Sequence, residues 1–289
     1  MLVSVIIPTR NRSVLLKEAI ESVLAQEPFG GEIEILVADD GSTDDTAQML
    51  SNYSTVRRIP SNAGCAGGTR NVGIHQAKGE WIAFLDDDDV WLPNKLKSCF
   101  AKIEKRLEVG FVTHAAYICD HLLNRGDIWT GPNLNGTNLP AAFLRDVVSP
   151  TVVLVRLEVL NKVGCFITDI SRAEDRDMWL RILESSVPAL SIPTPLALYR
   201  LREQENGEML YKTWEETRSV LNKHFAIQRT SAYDKFTILR QLNGWYADRI
   251  WRCAMQARID GDAKRAAIFA TCVRNVSPIH WIKFRIRGT

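Results

Sequence analysis

The chain has 289 residues, 46% hydrophobic and 24% charged, with 36 Lys and Arg against 34 Asp and Glu for a net charge of +2. That length can bury a full core, and the composition excludes an intrinsically disordered chain. No apolar run approaches the roughly 20 residues that span a bilayer. Six cysteines are scattered without a C-x-x-C pair and read as reduced, partly buried thiols of a cytosolic protein. The near-neutral total hides an asymmetry: residues 206–289 hold 15 Lys and Arg against 7 Asp and Glu, whereas 1–205 hold 21 against 27. Such a tail is expected to meet something anionic or to pack on the acidic body.

The chain opens on Leu2 to Ile7, a strand rich in β-branched residues with no basic leader or cleavage site, so a cytoplasmic location is expected. Pro8-Thr9-Arg10-Asn11-Arg12 breaks the strand. Ser13 then serves as N-cap for a helix to about Gln26, with Leu15, Ala19, Ile20, Val23 and Leu24 on its apolar face. The next strand, Ile33 to Ala38, runs into Asp39-Asp40-Gly41-Ser42. Ser42 and Asp45 resemble a capping box for a short helix over 44–53. After a short strand at Val56 to Ile59, the Gly-rich run Asn62 to Asn71 enters a helix ending at Gly79. Its glycines match neither the Rossmann nor the P-loop spacing, so alone they signal little.

Trp81-Ile82-Ala83-Phe84-Leu85 is wholly apolar and runs straight into Asp86-Asp87-Asp88-Asp89. The apolar run reads as a strand buried on both faces. Four adjacent carboxylates at its tip require neutralisation, unless they form a solvated acidic turn. A divalent cation, Mn²⁺ or Mg²⁺, is the natural partner, and it commonly shares its ligands with a substrate phosphate. Strand and helix alternate throughout, which predicts an α/β fold with a mainly parallel central sheet. Parallel strands bring the tips carrying Thr9, Asp40 and Asp86 to one edge, the expected place for a nucleotide.

Beyond Trp91 the spacing predicts a helix from Pro93 to Leu107, a strand from Gly110 to Ile118, and a hairpin or lid over 119–140. A strand at 152–155, a helix at 157–163, a helix over 173–183 with carboxylates at its start, and a final strand at 197–200 follow. Acidic residues at a helix start also have a purely structural reading through the helix dipole. From 206 the chain becomes helical, basic and Trp-bearing, with Phe236, Leu239, Leu242, Tyr246 and Ile250 at helical spacing. Asp262 is placed to cap a last helix. The end, Ile279 to Arg287, mixes apolar residues with cations, as at a membrane interface or on a packed element.

Together Val5 to Arg12, Asp39 to Asp44, Asn62-Ala63-Gly64, Ala66 to Asn71, Phe84 to Trp91 and Glu174 to Arg181 resemble the family 2 glycosyltransferases of GT-A fold, over about residues 1–200. The resemblance implies a GT-A domain over 1–205, with a nucleotide half at about 1–110 and an acceptor half at about 111–205. A helical extension over 206–289 then follows. It implies inverting transfer of a sugar from a nucleotide-diphosphate donor to a glycan or lipid-linked acceptor hydroxyl. By resemblance Pro8, Thr9, Arg10, Asn11, Asp39, Asp40 and Arg70 bind the nucleotide. Asp86-Asp87-Asp88 maps to the D-x-D motif, with Asp88 a direct metal ligand and Asp86 and Asp87 serving the ribose or the metal's water; Asp86 is also a candidate ligand. The general base maps to Asp175, with Glu174 second, while Asp177 points elsewhere on its helix.

Two other classes remain open at this point. A nucleotidyltransferase also needs an Asp-bound metal, but the basic Gly-rich N-terminal loop it usually brings is not evident. A non-catalytic sugar-nucleotide or glycan-binding protein would keep the fold. The Asp spacing does not match an EF-hand. The basic tail lacks a recognisable nucleic-acid module, so no nucleic acid is expected as a partner. A peripheral contact of the tail with the inner face of the membrane is the further expectation.

Overall fold

The structure, a computed structural model, describes residues 1–134, 148–201 and 206–287. The chain divides into two compact units, Met1–Leu201 and Arg202–Thr289. The expected boundary at 205, and residues 135–140 of the expected hairpin or lid, lie outside the described residues.

The first unit begins β1 (Leu2–Thr9), α1 (Ser13–Leu24), β2 (Glu32–Asp39), α2 (Thr46–Leu50), β3 (Val56–Pro60), α3 (Ala66–Gln76) and β4 (Trp81–Phe84). It continues β5 (Val90–Trp91), α4 (Lys95–Ile103), β6 (Phe111–Cys119), β7 (Arg125–Trp129), a 3-10 turn (Pro150–Val152), β8 (Val153–Arg156), α5 (Leu157–Val163), α6 (Glu174–Glu184) and β9 (Ala189–Arg200). Among the described residues nine strands form one sheet, in the order β3-β2-β1-β4-β8-β6-β9-β5, with β7 paired to β6 off that path. Strands β1 to β4 are parallel to their neighbours within that group. Beyond β4 the sheet is mixed: β8 runs antiparallel to β4 and β6, and β9 runs parallel to β6 but antiparallel to β5.

The parallel strands are apolar because both faces are covered. Val3, Val5, Ile6 and Ile7 of β1, Leu36 to Ala38 of β2 and all of β4 are buried. Full burial of each large aliphatic side chain contributes roughly 1.5–3 kcal/mol. β1 continues through Pro8, where the sequence suggested a break. Pro8 lies opposite Ala38, while β4 pairs only with Val3–Ile6, so no strand on that side awaits the missing N–H. The register carries Thr9 beside Asp39, and β4 alongside β1 ends just short of Asp86.

Several local expectations give way to longer-range contacts. Ser13 is the first helical residue, not the N-cap of α1; Arg12 holds the cap position, and the Asp44 carboxylate accepts the Ser13 N–H at 3.2 Å. The buried face of α1 centres on Leu16, Ala19, Ile20 and Val23, and Leu24 is exposed. α2 has no capping box: Asp45 precedes it without a side-chain cap, and Ser42 instead accepts the Asn11 N–H at 2.9 Å. β9 is longer than expected and absorbs Pro193 and Pro195 through irregular register with β6.

The second unit holds α7 (Gly207–Ile227), α8 (Ala232–Ile259), α9 (Ala263–Val276) and α10 (Pro278–Arg287). Trp214, Tyr246, Ala247, Ile250, Ala254, Phe269, Val273 and Val276 form its core, with Trp251 stacked on Phe284 at 4.9 Å. Tyr246 and Ile250 face inward as expected, but Phe236 is exposed and Ile238 takes the buried position. Asp262 caps α9 through the Arg265 N–H at 2.9 Å, and α10 follows as a further helix. No described helix is long and apolar enough to cross a membrane. The six cysteines are free.

Candidate active site

The tips of β1 and β2 are joined through their backbones, since the Asp40 N–H donates to the Thr9 carbonyl at 2.9 Å. Asn11 adopts a left-handed backbone with φ 54, which asparagine tolerates. Its side-chain oxygen accepts the Thr43 N–H at 2.7 Å, locking the two tips together. Gly41, with φ 75, supplies the turn after Asp40. Asp40 is nearly buried and accepts the Gly64 N–H at 3.1 Å, with Arg10 3.8 Å from its other oxygen. Asp39, one residue earlier, is committed elsewhere: it accepts from Arg58 and from the Ser42 N–H.

The Asp86–Asp89 turn lies against this edge, not in bulk water. Thr9 donates its hydroxyl to Asp87 at 2.8 Å. Arg12 donates from one nitrogen to Asp87 at 2.8 Å and to Asp88 at 2.9 Å. Burial raises the Asp87 carboxyl to about 6, with Arg12 and Thr9 opposing and Asp88 adding to the rise. Burial on its own would lower Arg12, but Asp87 and Asp88 outweigh it and raise the guanidinium. Asp89 points inward, accepting the Arg200 N–H at 2.8 Å and the Thr151 hydroxyl. Burial, then the charges of Asp86 and Asp88, hold it far above the usual carboxylate range.

The second half of the site comes from α3 and α6. Arg70 of α3 is buried and bridges two elements, donating to Asp86 at 2.7 Å and to Glu174 at 2.8 Å. Burial works against its charge, yet Asp86 and Glu174 more than compensate, so it stays ionised. Gly67 permits this approach, since a Cβ there would meet the Ile167 carbonyl at 2.9 Å and Glu174 Cγ at 3.0 Å. Glu174 is buried and held by Arg70, whereas the adjacent Asp175 is half-buried. Burial and the Glu174 charge push the Asp175 carboxyl up to about 7, against Arg70 and Arg176. Asp177 turns away into an ion pair with Arg181 at 2.7 Å, as its position on the helix requires.

One connected network therefore holds Asp40, Thr9, Asp87, Arg12 and Asp88 on the strand side, and Asp86, Arg70, Glu174 and Asp175 on the helix side. Asp86 to Asp88 join the two halves in sequence. Sequence reasoning assigned no role to Arg12, Thr151 or Arg200. Among the described residues no group of three or more His, Cys, Asp or Glu can hold a metal ion by itself. Asp86 is paired with Arg70 and Asp88 with Arg12, so an ion held by these carboxylates would draw its other ligands from a substrate phosphate.

The family model for glycosyl transferase family 2 matches residues 4–164. The chain belongs to glycosyl transferase family 2. The match covers the tips of β1, β2 and β4 together with α3. A Haemophilus influenzae uncharacterized glycosyltransferase is 28% identical over 201 residues, covering 68% of this chain and 67% of that protein. An Escherichia coli family relative, the UDP-Glc:alpha-D-GlcNAc-diphosphoundecaprenol beta-1,3-glucosyltransferase WfaP, is 32% identical over 204 residues, covering 69% of this chain and 77% of WfaP. Other relatives are longer, and the chain spans 31% of an uncharacterized glycosyltransferase from Rickettsia felis. Among solved structures, S. aureus TarS 1-349 in complex with UDP-GlcNAc aligns with TM-score 0.60 and 20% identity, covering 95% of this chain and 92% of that one. Mannosyltransferase PcManGT from Pyrobaculum calidifontis, in complex with GDP-Man and Mn2+, aligns with TM-score 0.62 and 17% identity, covering 99% and 86%. This family 2 glycosyltransferase thus has the GT-A fold expected from its motifs.

Proposed function

We propose that this enzyme transfers a sugar from a nucleotide-diphosphate donor to a hydroxyl of a glycan or lipid-linked acceptor, inverting the anomeric centre with the help of a divalent metal. The observation that carries this reading is the Arg70 bridge, which draws the Asp86 end of the D-x-D turn to the first turn of α6. Donor-binding carboxylates and a candidate base thereby share one crevice. The donor class is supported by the UDP-GlcNAc and GDP-Man complexes of the structural neighbours. The acceptor class is supported by WfaP, named for a GlcNAc-diphosphoundecaprenol substrate.

Pro8, Thr9, Arg10, Asn11 and Asp40 would take the base and ribose. The edge is rich in carboxylates, so a diphosphate needs a cation between itself and the protein. Asp88 and Asp86 would hold Mn²⁺ or Mg²⁺, which when bound stabilises the charge developing on the departing diphosphate. Asp175 accepts the proton of the acceptor hydroxyl as its oxygen attacks the anomeric carbon from the face opposite the leaving group. The new glycosidic bond forms, the bond to the diphosphate breaks, and its electron pair leaves with the nucleoside diphosphate. Asp175 is better suited than Glu174 because Glu174 is buried in the Arg70 pair. Residues 1–205 would form the transferase domain and 206–289 an extension that meets the acceptor or the membrane.

Incubation with a panel of UDP-, GDP- and TDP-sugars and Mn²⁺, without acceptor, tests the reading. Slow release of nucleoside diphosphate from one donor is expected. Release of none, with no binding of any donor, would overturn it.

A further inference from the structure

Thr151 is fully buried in the 3-10 turn that leads into β8, and it touches both ends of the acidic turn. Its hydroxyl accepts the Asp86 N–H at 3.1 Å and donates to the Asp89 carboxylate. Its carbonyl accepts from the Trp91 indole N–H and from Lys95 Nζ, each at 3.1 Å. Its own N–H donates to Ser149 Oγ at 3.3 Å. A single side-chain oxygen therefore spans the first and last residues of the Asp86–Asp89 turn, within which the Asp89 N–H donates to the Asp86 carbonyl at 3.1 Å.

The consequence is geometric. With Asp86 N–H and Asp89 fixed from below, Asp87 and Asp88 occupy the middle of a pinned turn and meet Thr9 and Arg12 on the upper side. Asp89 is tied a second time, to the Arg200 N–H of β9. Trp91 and Lys95 anchor Thr151 in turn, and Lys95 is fully buried with its Nζ 3.2 Å from the Trp91 ring centroid. Outer groups that orient carboxylate ligands commonly control ligand affinity as strongly as the ligands' chemistry does.

We propose that Thr151 is a positioning residue for donor binding: its hydroxyl sets the conformation of the Asp86–Asp89 turn and thereby the affinity for the metal–nucleotide-diphosphate pair. The inference rests on the donor reading above. It assigns Thr151 no contact with substrate, so its loss acts on donor affinity and leaves acceptor recognition alone.

Thr151→Val keeps the shape and the backbone contacts but removes the hydroxyl, leaving the Asp86 N–H and Asp89 without their partner. Thr151→Ser keeps the hydroxyl and removes only a methyl group. UDP, GDP and TDP are titrated calorimetrically, with MnCl₂, into the full-length wild type and both variants, at a temperature where each is folded. Weakening of about 10–100-fold in Thr151→Val is expected, with wild-type affinity in Thr151→Ser. Should Thr151→Val lack a cooperative folding transition, Thr151→Cys carries the same test, because its thiol is only a weak donor and acceptor. Equal affinity in the wild type and the hydroxyl-free variant, or equal loss in Thr151→Ser, overturns the inference while leaving the donor reading intact. No binding of any of the three nucleotides by the wild type overturns both.

Discussion

On the proposed mechanism, Asp175 is the residue whose titration reports the chemistry. Burial and the Glu174 charge push its carboxyl up to about 7, so as the base it would be competent only as pH rises through that value. The rate should fall below about pH 7, and Asp175→Asn should lose about 10²–10⁴ in turnover while keeping donor affinity. Glu174→Gln removes the charge that raises Asp175, so the acid limb of kcat/KM should move to lower pH. A limb that stays in place would assign the midpoint to another group. Thr9, Asp40 and Asp86 to Asp88 were legible because each ends an apolar strand, and polar groups there must face a common edge. Arg12 stood in the same motif without a role, because its partners lie 75 and 76 residues further along the chain. Thr151 gave no signal: a threonine ahead of an apolar strand looks ordinary until β8 is placed beside β4. Asp89 looked like a fourth site carboxylate, and only the fold shows it turned toward Arg200.

At the level of elements, the turn after β4 is held under electrostatic stress. Asp87 titrates near 6, above the value of about 3.9 in an unfolded chain. A carboxyl raised by folding favours the folded state when protonated. Its contribution is complete below about pH 4 and is lost as pH climbs through 6, a loss on the order of 3 kcal/mol. Denaturant unfolding at several pH values should therefore show the wild type losing more stability between about pH 4 and pH 7 than Asp87→Asn does. Parallel loss in both proteins would place the strain elsewhere. The parallel strands β1, β2 and β4 were readable from β-branched and apolar runs. Beyond β4, β6 and β8 were readable in the same way, but β5 has only two residues and β9 was visible only at its end, because its internal prolines resemble loop punctuation. Capping signals at Ser13 and Ser42 misled for one reason: the loops after β1 and β2 satisfy each other, which local sequence does not reveal.

At the scale of the whole chain, the basic excess of 206–289 accompanies apolar side chains exposed on α10, Ile279 and Ile282, beside exposed Lys283. We expect this surface to bind anionic bilayers weakly, as apolar contact and cations combine at an interface. Co-sedimentation with phosphatidylglycerol vesicles should decrease in the Ile279→Asp, Ile282→Asp double variant and at high salt; unchanged partitioning would remove the membrane role. The switch from α/β to helical character near 206 was visible in composition, but the partner of the second unit was not, because exposed apolar residues do not name what covers them. On the proposed reading, Asp86 and Asp88 after β4 would hold the donor's diphosphate through a divalent ion, beside the β1 and β2 tips that would take the nucleoside. Calorimetric titration of the donor into wild type and Asp88→Ala, with MnCl₂ and with EDTA, tests it most directly. Binding in Mn²⁺ that weakens sharply in EDTA and in Asp88→Ala is the expected result. Affinity that ignores both the metal and the substitution would contradict it.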